Sequence, residues 1–239
     1  MKTVAIIQAR LGSTRLPGKV LLDLAGAPML TRVVNRVRRA KNVDEVVIAT
    51  TTETRDDALV QFCAEMPCPC YRGSENDVLD RYYQTARACQ ADVVVRITSD
   101  CPLIDPAVID SVINGLELQQ SEYSSNTIRR TYPRGLDTEA FTFSLLESVW
   151  REDRNPAWRE HVTQFIVNHP ERFGITQLSH DDDNSHLRWT VDTPEDYAFA
   201  QTIYRHFGGD EFSWYDVLEV LAHNPEWAKI NQGIEQKAV

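Results

Sequence analysis

The chain has 239 residues, 42% of them hydrophobic, which suits one α/β domain with a sizeable core. A formal net charge of -10 argues against a large nucleic-acid footprint, which needs a basic surface, and no apolar run approaches the length of a membrane span. Five cysteines (Cys63, Cys68, Cys70, Cys89 and Cys101) lack Cys-x-x-Cys spacing; small buried thiols in a reducing compartment are expected, which points to the cytoplasm.

In chain order, residues 4–7 (Val-Ala-Ile-Ile) form a continuous apolar run that predicts a strand buried on both faces, rather than a signal peptide. Residues 8–18 are a polar loop containing Gly and Pro. Pro28 opens a helix with Leu30, Val33, Val34 and Val37 on one face and four arginines on the other. Residues 45–50 predict a second buried strand, and Thr54 to Asp57 an N-cap with acidic first-turn residues. Residues 75–89 have helical spacing, residues 92–97 form another strand, and Asp105-Pro106 caps the next helix. This cadence implies a parallel, doubly wound α/β sheet with ligands bound beyond the carboxyl ends of its strands.

From about Ser121 the rhythm changes. Residues 132–143 read as a turn and an alternating strand, Ser144 with Glu147 as a capping box, and residues 159–168 as a helix. Residues 187–191 predict a late strand, followed by a helix with Thr193 as N-cap and Pro194 at its first position. The expected organisation is a single domain over residues 1–239, with residues 121–185 as a small inserted lobe for acceptor binding or dimerisation.

Three segments carry chemistry. Residues 8–19 read Gln-Ala-Arg-Leu-Gly-Ser-Thr-Arg-Leu-Pro-Gly-Lys. Two glycines allow close backbone approach to an anion, while Arg10, Arg15 and Lys19 supply three cations with no acid between them. Such a loop after a buried strand suits a polyphosphate. It is not a Walker A loop, because five residues separate Gly12 from Gly18 and Val20 stands where Ser or Thr is required. Asp100 and Asp192, each following a predicted strand, are candidate ligands for Mg²⁺ or Mn²⁺. Arg72-Gly73-Ser74 leads into a helix and is a weaker candidate for reading a base edge.

These motifs, with Thr98-Ser-Asp-Cys-Pro-Leu-Ile104, Tyr132-Pro-Arg-Gly-Leu-Asp-Thr-Glu139, Arg159-Glu-His161 and Val191-Asp-Thr-Pro-Glu-Asp196, resemble the cytidylyltransferases that include CMP-Kdo and CMP-sialic acid synthetases. The resemblance is nearest to the spore-coat polysaccharide biosynthesis branch and covers nearly the whole chain. It implies a Rossmann-like, doubly wound, mostly parallel α/β sheet, CTP and Mg²⁺ as reactants, and a homodimer. By position, Arg10, Ser13, Arg15 and Lys19 would hold the triphosphate, with Gln8, Ala9, Leu11, Gly12 and Thr98 alongside. Arg72 and Ser74 would face cytosine, and Asp100 and Asp192 would bind the metal. Gln8 replaces the proline that begins the Kdo enzymes' motif, and Thr98-Ser99 replaces their Gln-Gly.

The expected reaction is attack by a hydroxyl of an acidic or unusual sugar on the α-phosphate of CTP, with Arg10, Arg15, Lys19, Asp100 and Asp192 as the catalytic set. Arg134, Asp137, Glu139, His161 and Arg188 are the candidate sugar contacts, and His161 could assist proton removal. The rival readings are a sugar-1-phosphate nucleotidyltransferase, a glycosyltransferase and a non-catalytic nucleotide-binding module. The glycosyltransferase is disfavoured because the only Asp-x-Asp stretch, residues 181–183, reads as a solvated loop.

Overall fold

Strand β1 (Thr3–Gln8) forms because its β-branched, apolar residues bury on both sides of a sheet: Ala5 and Ile7 enter one core, Val4 and Ile6 the other. The computed structural model, which describes residues 1–235, continues with α1 (Met29–Val37), β2 (Glu45–Thr51), α2 (Asp57–Glu65), β3 (Cys70–Gly73), α3 (Val78–Ala88) and β4 (Val93–Thr98). Helix α4 (Pro106–Gln119) leads to β5 (Tyr123–Ser125) and β6 (Glu139–Thr142). Then come α5 (Phe143–Glu152), α6 (Pro156–His161), α7 (Gln164–Asn168) and β7 (Ile175–Gln177), and finally α8 (Pro194–Phe207), α9 (Trp214–His223) and α10 (Pro225–Ala228).

One seven-stranded sheet runs in the order β3-β2-β1-β4-β6-β5-β7. Strands β1 to β4 are mutually parallel, as the sequence cadence requires, and β6 enters antiparallel to β4. Strands β5 and β7 extend that edge, so the strands within residues 121–185 continue the main sheet. Helices α1, α4, α8 and α9 cover one face, while α3 and α5 cover the other. Among the described residues no helix is long and apolar enough to cross a membrane.

Several local expectations are corrected. Residues 187–191 form no ladder strand. The segment is extended, but it lies against two separate loops and makes a single bridge, Arg134 to Arg188. The helix expected over residues 159–168 is two helices, broken at Val162, whose φ of 62° is a strained value for a β-branched residue. Helix α5 is capped by Thr142, which accepts from the Leu145 N–H at 3.2 Å, instead of by Ser144 with Glu147. The arginines of α1 are not all on a wet face: Arg36 is fully buried and donates to the Ile104 and Asp210 carbonyls, because the C-terminal segments pack over it. The Asp105 cap and the Thr193 cap with Pro194 are as expected, and Thr193 forms a capping box with Asp196. All five cysteines are free; Cys70 and Cys89 are only half buried.

Candidate functional site

The loop after β1 is held as a rigid cradle. Leu11 donates its N–H to Asp56 Oδ1 at 2.7 Å, and Asp56, fully buried just before α2, also accepts the Thr51 hydroxyl at the end of β2. Within the loop, the Ser13 and Gly18 N–H groups both donate to the Leu11 carbonyl. Gly18 has a φ of 67°, a left-handed turn that favours glycine, and it feeds a short 3₁₀ turn that starts at Lys19.

That turn aims Lys19 at two distant acids. Its ammonium lies 3.1 Å from Asp100 Oδ2 and 2.9 Å from Asp192 Oδ1, and donates to the Val191 carbonyl at 2.7 Å. The acids are brought together by backbone: Asp100 follows β4, and the Val191 N–H donates to the Asp100 carbonyl at 2.8 Å. Gly135 permits this approach. It has a φ of 110°, and a Cβ there would come within 2.6 Å of the Trp189 backbone carbon, so the segment carrying Asp192 rests directly on it.

Asp192 Oδ2 receives Arg15 and Arg188, both at 3.0 Å. Arg188 also grips Asp196, which in turn accepts the Asp192 N–H. Burial works against the charge on Lys19, but Asp100 and Asp192 outweigh it and the ammonium's pKa is raised. Burial would likewise raise the Asp100 carboxyl, yet the Lys19 charge holds it below the usual carboxylate range. Lys19 and Asp100 therefore both stay charged at neutral pH.

Two cavities meet here. The first, about 280 Å³, is lined by Gln8, Ala9, Arg10, Gly12, Ser13, Arg15, Lys19, Thr98, Asp100 and Asp192 among the predicted residues. The second, about 590 Å³, is lined by Arg134, Asp137 and Glu139. Both are bounded by Arg96, Thr98, Asp100, His161 and Asp192.

Other predicted residues lie elsewhere. Leu11 packs against the core. Arg72 is tied to the Thr51 and Glu53 carbonyls and to Asp57, and lines neither cavity. Ser74 accepts the Asp77 N–H at 3.1 Å, ahead of α3. Arg188 stands behind Asp192, its guanidinium engaged by Asp192 and Asp196. Glu139 reaches the second cavity, but its carboxylate accepts from Arg96, from the Tyr123 hydroxyl at 2.5 Å and from the Thr163 hydroxyl at 2.5 Å.

Sequence reasoning gave no role to Arg81 and Arg96, which also line the first cavity together with Thr14, Ser99 and Glu160. Arg96 carried a readable signal, as the one charge inside the apolar run of β4. For the metal, the donors are two carboxylates converging on one cation; among the described residues no third His, Cys, Asp or Glu closes the set.

A parallel sheet whose strand ends carry a basic anion cradle and paired acids defines a nucleotidyltransferase-type α/β protein. A family model described as cytidylyltransferase matches residues 4–219, and the chain belongs to that family. It is 36% identical to the spore coat polysaccharide biosynthesis protein SpsF of Bacillus subtilis, over 93% of this chain and 95% of that one. Among solved structures, a cytidylyltransferase from Leptospira borgpetersenii superposes with a TM-score of 0.92 at 36% identity, covering 100% of both chains. CMP:2-keto-3-deoxy-manno-octonic acid synthetase complexed with CTP shares the fold at a TM-score of 0.65 and 20% identity, over 86% of this chain and 99% of that one.

Proposed function

We propose that this enzyme transfers the cytidylyl group of CTP to a hydroxyl of an acidic or otherwise unusual sugar, releasing pyrophosphate, for surface polysaccharide or glycan synthesis. The observation that carries the reading is Lys19 bridging Asp100 and Asp192 where the two cavities join. A triphosphate in the first cavity and a sugar in the second would present the α-phosphate and the attacking hydroxyl to each other at that junction. SpsF is named for spore coat polysaccharide biosynthesis, which fits such a product.

The donor chemistry fits Mg²⁺ or Mn²⁺, since two hard carboxylates face one point and Asp100 keeps part of its side chain open. Asp100 and Asp192 would hold the ion, which when bound supplies charge to polarise the phosphoryl group. Lys19 and Arg15, now paired with the acids, sit at the base of the phosphate cradle and would turn toward the departing pyrophosphate. Arg10, 3.4 Å from Glu75 and 44% exposed, can swing to the outer phosphates. The hydroxyl oxygen forms the new bond to phosphorus as the bond to the β-phosphate oxygen breaks. His161, which borders both cavities, is placed to take the hydroxyl proton.

The test is pyrophosphate release from each nucleoside triphosphate, with Mg²⁺ and a panel of acidic sugars. Release is expected only with CTP and one class of acceptor. Turnover of sugar 1-phosphates with UTP instead would replace this reading.

A further inference from the structure

Strands buried on both faces normally carry apolar side chains, yet β4 places Arg96 midway between Val95 and Ile97. A buried charge is tolerated only when paired. Arg96 is paired: Glu139 lies directly opposite on antiparallel β6 and accepts from Nη1. Glu139 is itself fixed by the hydroxyls of Tyr123 on β5 and Thr163 just before α7.

The pair does not saturate the guanidinium. A guanidinium has five N–H donors. Only Nη1 is engaged, and neither Nε nor Nη2 has a hydrogen-bond partner among the described residues. The same side chain borders both cavities, two positions before Thr98 and four before Asp100. A cation held this rigidly, with Nη2 to spare at the junction, is placed to meet an oxyanion there.

We infer that Arg96 is a catalytic residue that donates from Nη2 to a non-bridging oxygen of the α-phosphoryl group in the transition state, with Glu139, Tyr123 and Thr163 as its positioning residues. This rests on the cytidylyl-transfer reading. In that step a lone pair of the acceptor hydroxyl forms the O–P bond, and the electrons of the breaking bond leave with pyrophosphate. The proton departs from the hydroxyl, and Arg96 keeps its own protons throughout, since a guanidinium does not titrate in this range. With Nη1 held by Glu139, the planar guanidinium fixes the direction of Nη2, which a freely rotating lysine ammonium would not reproduce.

The test compares the wild type with Arg96→Lys, Arg96→Ala and Glu139→Gln, measuring acceptor-dependent pyrophosphate release from CTP and from CTP with sulfur at a non-bridging α-oxygen. Arg96→Lys is expected to lower kcat on the order of a hundredfold with KM for CTP little changed. It should also shrink the wild-type preference for oxygen over sulfur. Guanidinium added to Arg96→Ala should restore part of the rate, and Glu139→Gln should cost about tenfold in kcat.

Because removing one partner can unfold a buried pair, an Arg96→Met/Glu139→Met double variant replaces both with apolar side chains and should fold but show the same loss. A folded double variant, or Arg96→Lys, with wild-type kcat overturns the inference. So does a lost rate with an unchanged sulfur effect and no rescue by guanidinium, since that pattern belongs to a merely structural arginine. A wild type that releases pyrophosphate from no triphosphate overturns the functional reading and this inference together.

Discussion

The two cavities that share Asp100 and Asp192 are walled differently. On the side proposed for the nucleotide, Lys19 and Arg15 are paired with Asp100 and Asp192, but Arg10 is loosely held, 3.4 Å from Glu75 and 44% exposed, and exposed pairs of this kind contribute little. On the acceptor side the charges are already paired, Arg130 with Asp137 at 2.8 Å and Arg96 with Glu139 inside the sheet. A rigid loop with a loosely held outer cation suits a ligand that brings several negative charges and can draw that cation onto itself. A prepaired wall suits selection among similar sugars, because its shape is fixed before the ligand arrives.

The contrast breaks most sharply at Lys19, which lines the first cavity and is bonded to the two acids that border both. Lys19→Ala leaves two carboxylates facing each other without their shared cation and removes a contact to the leaving group. Turnover should fall on the order of a thousandfold. Arg10→Ala, on the loose part of the same loop, should lose far less. Pyrophosphate release by the two variants under one set of conditions decides this, and equal losses would erase the distinction between the rigid and mobile cations.

Next comes Gly135, where the acceptor wall supports the acid. Gly135→Ala places a Cβ within 2.6 Å of the Trp189 backbone carbon at a φ of 110°, so the segment ending at Asp192 must shift. A displacement of about 1 Å costs on the order of a hundredfold in rate. We expect that loss with the secondary structure, followed by circular dichroism, retained. A fully active Gly135→Ala would mean that the 187–191 segment does not set the position of Asp192.

How far this arrangement could be read from sequence depends on which wall is considered. Strands β1, β2 and β4 are continuous β-branched runs whose burial on both faces is written in composition, and the cradle after β1 is contiguous, so both were legible. Strands β3, β5 and β7 have three or four residues and are half-buried or short, with no period to detect. The 187–191 segment has strand-like residues, but its partners are loop residues 134 and 100, which no local pattern announces. The break at Val162 is likewise set by packing, since Val162 is buried in the second core. Arg72 and Arg188 illustrate the same limit: their place in the sequence suggested ligand contacts, whereas neighbouring carbonyls and carboxylates engage their guanidinium groups. Arg96 was within reach, because a lone charge in a buried strand demands a partner.

A smaller effect concerns acid stability on the prepaired side. Burial alone would raise the Glu139 pKa, but the Arg96 charge and the hydroxyls of Thr163 and Tyr123 hold it below its ordinary value. A carboxyl with a depressed pKa in the folded state stabilises fully above the unfolded value of about 4.3, and the contribution is lost as pH falls through the folded value. The melting temperature should therefore drop as pH falls below about 4, and Glu139→Gln should flatten that part of the profile relative to the wild type. Asp100 and Asp196 are depressed as well and steepen both profiles alike, so the difference between them isolates Glu139. Parallel profiles would show that the pair adds nothing to acid stability.

The smallest expected effect is at Arg72, where motif position and geometry disagree. Its guanidinium is spent on the Thr51 and Glu53 carbonyls and on exposed Asp57, and it borders neither cavity. If the geometry governs, Arg72→Ala should leave the preference for CTP over UTP intact and change turnover by about threefold or less, the scale of a mostly exposed ion pair. Arg81, buried with its Nη1 on the Ser74 carbonyl and its Nε unpartnered, lines the nucleotide cavity in its place, so Arg81→Ala should weaken CTP binding more. If Arg72→Ala instead loses base selectivity while Arg81→Ala does not, the β3 end must rearrange when the nucleotide enters. The loosely held wall would then extend beyond the loop to include the base.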